Sequence, residues 1–191
     1  KAGGTWYLGE TRPSALDSGL VILSDLPVTQ VVRAEFPTDS CAGYDCLAAK
    51  GIVMATLDLP GHGPVAIATT HLNSRGASGA PHARSHAAYG RQAEFLARFI
   101  RSHRQADEPL ILAGDFNRAQ RPERIRSLTA AMDGARESLA EAVRGDAVAR
   151  PGRRDARAIV RSARDMQFLF DGAATRLEVS GAEVPFGTEP G

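Results

Sequence analysis

A chain of 191 residues that is 43% hydrophobic and 24% charged can bury a substantial core and has the size of one ordinary domain. Its formal net charge of +1 excludes a protein that coats nucleic acid through bulk charge, although local basic patches can still bind phosphate. No apolar run is long enough to span a bilayer, and the positive charge is almost all arginine, with lysine only at Lys1 and Lys50.

The opening KAGGTWYLGE has no charged n-region followed by an apolar h-region, so no signal peptide is recognisable in it. Residues 18–24, SGLVILS, predict a buried strand that Leu26-Pro27-Val28 ends, and a second strand follows near Val31 and Val32. The turn-rich stretch 37–46, PTDSCAGYDC, holds the two cysteines, Cys41 and Cys46. Two thiols without flanking ligands argue against a structural zinc site. A local disulfide, which would favour an extracytoplasmic location, and a pair of small free core thiols both stay open.

Gly51–Leu59 returns to strand-like composition, and Gly61-His62-Gly63-Pro64 is a tight connection. Residues 65–70, VAIATT, predict the next buried strand, which delivers His71 at its end. Residues 73–86 read as a long surface loop in which Arg75, His82, Arg84 and His86 give a positive potential suited to an anionic substrate. From Ala87 the pattern turns helical: Tyr89, Ala93, Leu96, Ile100 and His103 recur at three- and four-residue steps.

The stretch 110–117, LILAGDFN, organises the rest. Leu110, Ile111, Leu112 and Ala113 predict a buried strand, Gly114 allows a tight turn, and Asp115 and Asn117, two apart in extended chain, would face one cleft. Residues 122–132 predict a helix with proline in its first turn, and 144–164, containing RPGRRDAR, an exposed insertion. Asp165–Phe170, DMQFLF, predicts a last core strand, and the tail from Gly181 carries no structural signal. Strands alternating with helices give an α/β protein whose chemistry candidates, His71, Asp115, Asn117 and Asp165, all stand at ends of apolar runs.

In this order SGLVILSDLPV, DCLAAKG, TTHL, GRQAEFLARFI, LILAGDFN and RDMQFLF resemble the endonuclease/exonuclease/phosphatase superfamily, over most of residues 18–170. The resemblance implies a DNase I-like four-layer sandwich, two central β-sheets flanked by helices. It also implies magnesium-dependent cleavage of a phosphodiester by activated water, with manganese as an alternative ion. Asp115 would orient or activate the water, Asn117 would donate to a phosphate oxygen, and His71 would bind the phosphate or stabilise charge. Asp165 resembles the carboxylate that orients a catalytic histidine.

Within the superfamily the chain is most similar to the neutral sphingomyelinase branch, where an Asp and a Lys five positions later precede a strand. Asp45 and Lys50 match that pair and imply a regulatory ion pair, so a phospholipid headgroup stands ahead of nucleic acid as substrate. Arg75 and Arg84 are the accompanying candidates for substrate binding. The family's metal-binding Glu and nearby Asn have no counterpart before SGL, where Glu10 lacks the right context; Glu183 and Glu189 are misplaced as well. No histidine follows Asp165, so the family's late Asp-His pair is missing. Asp115 is then the one candidate metal ligand, and the chain is expected to be incomplete at both catalytic ends or a homologue that binds without cleaving.

Overall fold

The computed structural model describes residues 5–6, 16–118, 120–145, 147–149 and 163–183. Glu10, Glu189, most of the arginine-rich stretch 144–164 and the tail beyond Glu183 lie outside them.

The apolar runs form strands because each buries at least one face. Six strands make the main sheet: β3 (Val28–Glu35), β4 (Gly51–Leu59), β5 (Gly63–His71), β6 (Leu110–Asp115), β7 (Arg136–Glu137) and β9 (Asp165–Phe170), in the order β3-β4-β5-β6-β9-β7. Shorter ladders pair β1 (Thr5–Trp6) with β2 (Leu23–Ser24), and β8 (Val148–Ala149) with β10 (Ala182–Glu183). β4 and β5 form a hairpin closed between Leu59 and His62, whose N–H donates to the Leu59 carbonyl at 2.9 Å. Pro60 fixes φ at the second position and Gly61, at φ 79°, takes the third, the arrangement of a type II turn.

β5 and β6 are parallel, so the chain must cross over, and α1 (His82–His103) makes that crossing. Its inward residues Tyr89, Leu96, Phe99 and Ile100 pack with Leu128 of α2 (Pro122–Ala131) on Ile52, Met54, Ala68, Leu112 and Phe168. Each large side chain buried there contributes roughly 1.5–3 kcal/mol. On the other face Val53, Ala55 and Leu57 gather with Ile22, so β4 is buried on both sides. This explains its nearly unbroken apolar composition. A short α3 (Ser138–Arg144) packs beside β9.

Three expectations change. The helix begins at His82, five residues before the apolar periodicity, so His82, Arg84 and His86 lie on its first turns and not in a loop. Only Ser85 of that opening turn is buried, and a serine leaves no hydrophobic signal. Residues 18–24 are not a buried strand: only Leu23–Ser24 pairs, and Leu23 is 63% exposed while Ile22 points inward. His103, read as part of the inward stripe, is exposed at the helix end.

Cys41 and Cys46 form a disulfide, with 5.1 Å between their Cα atoms. It clasps the 3-10 segment Gly43–Leu47, which carries Asp45. Closing a loop with a sequence separation of 5 is worth about 2 kcal/mol in chain entropy. Cys46→Ser should therefore lower the melting temperature, and reductant should lower the wild-type protein to match. An unchanged wild-type transition in reductant would contradict this.

Candidate active site

Backbone register assembles the site. His71 is the β-ladder partner of Asp115, and Asp115 that of Asp165, so three polar residues from β5, β6 and β9 stand in one row. Their neighbours Thr70, Gly114 and Met166 form the next row, and Met166 packs into the helix-side core. By strand alternation, His71, Asp115 and Asp165 point to the opposite face. The chain positions of the three residues say nothing of this adjacency.

Lys50 stands just before β4 and reaches across to the row. Its Nζ donates to Asp45 Oδ2 at 3.1 Å and to the Leu72 carbonyl at 3.2 Å, and lies 3.2 Å from His71 Nε2. An ammonium has three protons, and these three partners account for all of them. Asp45 Oδ2 also accepts from the Ser74 N–H, which ties the disulfide-clasped segment to the loop after β5. Both Asp45 and Lys50 are buried.

His71 Nε2 lies 3.7 Å from Asp115 Oδ2, beyond hydrogen-bond range, so its lone pair serves Lys50. Burial, and next the Lys50 ammonium, hold the His71 pKa below its usual value against the opposing pull of Asp115, Asp45 and Asp165. The imidazole is thus neutral at pH 7, with its proton on Nδ1. The unfolded chain takes up that proton near pH 6.5 while the folded protein resists it, so the unfolded state binds more protons in the window just below. This contribution to stability is complete above pH 6.5 and falls as pH drops toward the lowered folded value. Melting curves from pH 5 to 7 should show that slope flattened in His71→Gln; an identical slope would remove His71 as its source.

Asn117 differs from expectation. It lies beyond β6 at φ 45°, a left-handed conformation that Asn tolerates better than most residues, and its backbone N–H donates to Asp115 Oδ1 at 2.8 Å. Its carboxamide Nδ2 donates to the Leu72 carbonyl at 3.0 Å. A turn, not strand alternation, sets its direction, and one amide proton is already committed to the loop after β5.

Asp165 is exposed opposite Asp115, and Arg75 lies in the loop after β5 with its Nε buried and unbonded. Arg84 is exposed on α1. A cleft of about 380 Å³ flanks the Asp45–Lys50 pair, lined by Phe36, Cys41, Cys46 and Gln92 among others, but it does not include His71 or Asp115. Sequence reading missed Arg124 on the first turn of α2. It is 2% exposed and donates to the carbonyls of Asn73 and Asn117 and to Ser85 Oγ. Among the described residues, no three His, Cys, Asp or Glu side chains converge as a metal site.

Residues 2–176 match the sequence profile of the Endonuclease/Exonuclease/phosphatase family. The chain belongs to this family. No curated protein matches it in sequence. Among solved structures it is similar to sphingomyelinase C from Streptomyces griseocarneus, at TM-score 0.63 and 20% identity, over 89% of this chain and 62% of that one. It is also similar to the Staphylococcus aureus beta toxin determined with bound magnesium ions, at TM-score 0.62 and 18% identity, over 85% and 55% of the two chains. The human nocturnin catalytic domain with bound sulfate aligns at TM-score 0.52 and 16% identity, over 87% and 60%. The fold is therefore DNase I-like, and the chain spans about three-fifths of the length of such neighbours. As a member of this family, the chain is built on the core of hydrolases that act on phosphoester bonds. Among the described residues, no helix is long and apolar enough to cross a membrane.

Proposed function

We propose that this chain carries the phosphodiester-cleaving core of a magnesium-dependent phosphodiesterase, with a phospholipid-type substrate ahead of nucleic acid. The observation that carries the reading is the row of His71, Asp115 and Asp165, with Lys50 and Asp45 hydrogen-bonded onto it. Asp115 orients the attacking water and accepts its proton, because an ionised carboxylate is an acceptor only. Neutral His71 donates to a phosphate oxygen; while Lys50 occupies Nε2, only the Nδ1–H is left to do so. Asn117 keeps one amide proton for the substrate, and Arg75 and Arg84 supply positive charge around it. Asp165 orients a partner donor.

Magnesium is a hard ion that is usually held by one or two carboxylates together with water and substrate oxygens. Asp115 and Asp165, paired across β6 and β9, would be the oxygen donors that hold it, and it would supply neutralisation of the charge developing on the phosphate. The disulfide supports an oxidising, extracytoplasmic setting.

The Asp45–Lys50 pair supports the phospholipid reading, because the sphingomyelinase-like motif is present as a formed contact of 3.1 Å. The arginines at 75, 118 and 121, on the two loops beside the row, support the nuclease alternative. The test is hydrolysis of bis-p-nitrophenyl phosphate with magnesium and with chelator, followed by sphingomyelin vesicles and DNA. Chelator-sensitive turnover with release of phosphocholine is expected. Cleavage of DNA alone would move the substrate to nucleic acid, and no turnover of any of the three would leave a binding homologue or a catalytically incomplete fragment.

A further inference from the structure

Arg124 is a buried charge held without a counter-ion among the described residues. Its guanidinium carbon lies 4.4 Å from the centre of the Tyr89 ring, and among the described residues no carboxylate pairs with it. Burying a charge without a counter-ion is costly, and an apolar side chain of similar volume would serve packing better. What the guanidinium does instead is hydrogen-bond main chain. One nitrogen, Nη1, donates to the Asn73 carbonyl at 2.6 Å and to the Asn117 carbonyl at 2.8 Å, and Nη2 donates to Ser85 Oγ at 2.9 Å.

Those two carbonyls have a shared meaning. Asn73 lies two residues after His71, and Asn117 two residues after Asp115. The β5–β6 ladder ends at the pair His71 and Asp115, with one further bond from the Leu72 N–H to the Asp115 carbonyl at 3.0 Å. Beyond it the Phe116 N–H still donates to the Arg164 carbonyl at 2.9 Å, but Asn73 and Asn117 already lie in loops outside the β5–β6 ladder. Asn117 in particular sits at φ 45°, a conformation that persists only where its surroundings over-determine it. Its N–H is held by Asp115, its carboxamide by Leu72 and its carbonyl by Arg124.

We infer that Arg124 is a positioning residue: it bridges the backbones that follow His71 and Asp115 and so fixes the spacing of the two halves of the site. This rests on the phosphodiesterase reading only for its catalytic consequence. Arginine suits the task because its planar fork serves several acceptors at once, whereas a lysine ammonium is a single point on a flexible stem.

The test compares Arg124→Met and Arg124→Lys with wild type by amide hydrogen exchange and by steady-state kinetics on bis-p-nitrophenyl phosphate with magnesium. In Arg124→Met, exchange across 72–75 and 116–118 should rise about ten-fold or more, while β4 keeps its wild-type protection. Turnover should fall about 100-fold with KM changed less than about three-fold, the split expected when alignment and not binding is lost. Arg124→Lys keeps charge and volume, so it should fold and give smaller changes in the same two segments. It decides the matter should Arg124→Met fail to fold. Wild-type exchange of both loops in Arg124→Lys and in any folded Arg124→Met would overturn the inference. So would a uniform rise that includes β4, which marks an ordinary core residue. An inactive wild-type protein would instead mark a catalytically incomplete fragment or a binding homologue, and loop exchange alone would then decide whether Arg124 bridges the two backbones.

Discussion

Asp115→Asn is expected to lower kcat/KM for phosphodiester hydrolysis by about 100- to 10,000-fold while leaving the melting temperature nearly unchanged. The substitution is isosteric, and an amide oxygen can still accept the Asn117 N–H that Asp115 Oδ1 accepts at 2.8 Å. What disappears is the negative charge and the capacity to take a proton from water. Removing one of two carboxylates that face each other across β6 and β9 also relieves like-charge repulsion, so folding should not suffer. Asp115→Ala is the poorer experiment, because it also frees the Asn117 turn and mixes two causes. The measurement is a thermal melt beside the magnesium-dependent assay. A large drop in melting temperature with only a proportional loss of activity would make Asp115 a turn former.

The second large effect is on stability and falls on the neighbouring residue. A Cβ at Gly114 would lie 2.0 Å from the Thr70 carbonyl oxygen and 3.0 Å from the Thr70 carbonyl carbon and nitrogen. All three are main-chain atoms in the adjacent strand, so no side chain can rotate aside, and β5 must separate from β6 where His71 meets Asp115. Gly114→Ala should cost more than about 3 kcal/mol, or roughly 10 °C in melting temperature. Gly90→Ala is the control. That glycine lies within α1, where the nearest atom to an added Cβ is Ser127 Oγ at 3.9 Å, so the change should stabilise by about 0.5–1 kcal/mol through helix propensity. Equal melting temperatures for the two variants would mean that the strands tolerate separation.

Much of the frame was legible locally. Gly51–Leu59, the strand ending at His71 and Asp165–Phe170 are where their apolar runs put them, because a continuous apolar stretch closed by glycine or polar residues has few alternatives to a buried strand. The strand at Leu110 outruns its apolar residues: Gly114 does not turn the chain but pairs between Thr70 and Met166, where the close Thr70 backbone leaves no room for a Cβ. That Asp45 and Lys50 pair was implied by the resemblance to the sphingomyelinase branch and not by their own local context, and the 3-10 segment brings them to 3.1 Å. Residues 18–24 misled for the reason the others succeeded. Apolar composition is blind to whether a partner strand lies alongside, and there only two residues pair. The first turn of α1 was silent because its one buried residue is Ser85.

The sequence by itself determined which segments bury themselves and which polar residues stand at their ends, since both follow from the local order of apolar and turn-forming residues. The tertiary structure alone decided that β6 lies between β5 and β9, so that His71, Asp115 and Asp165 share one row. It alone made Arg124 a bridge and not another surface arginine, and turned Asn117 through a left-handed residue. Strand order and burial of a charge are settled by contacts between residues tens of positions apart, whose energies have no trace in the composition of either segment.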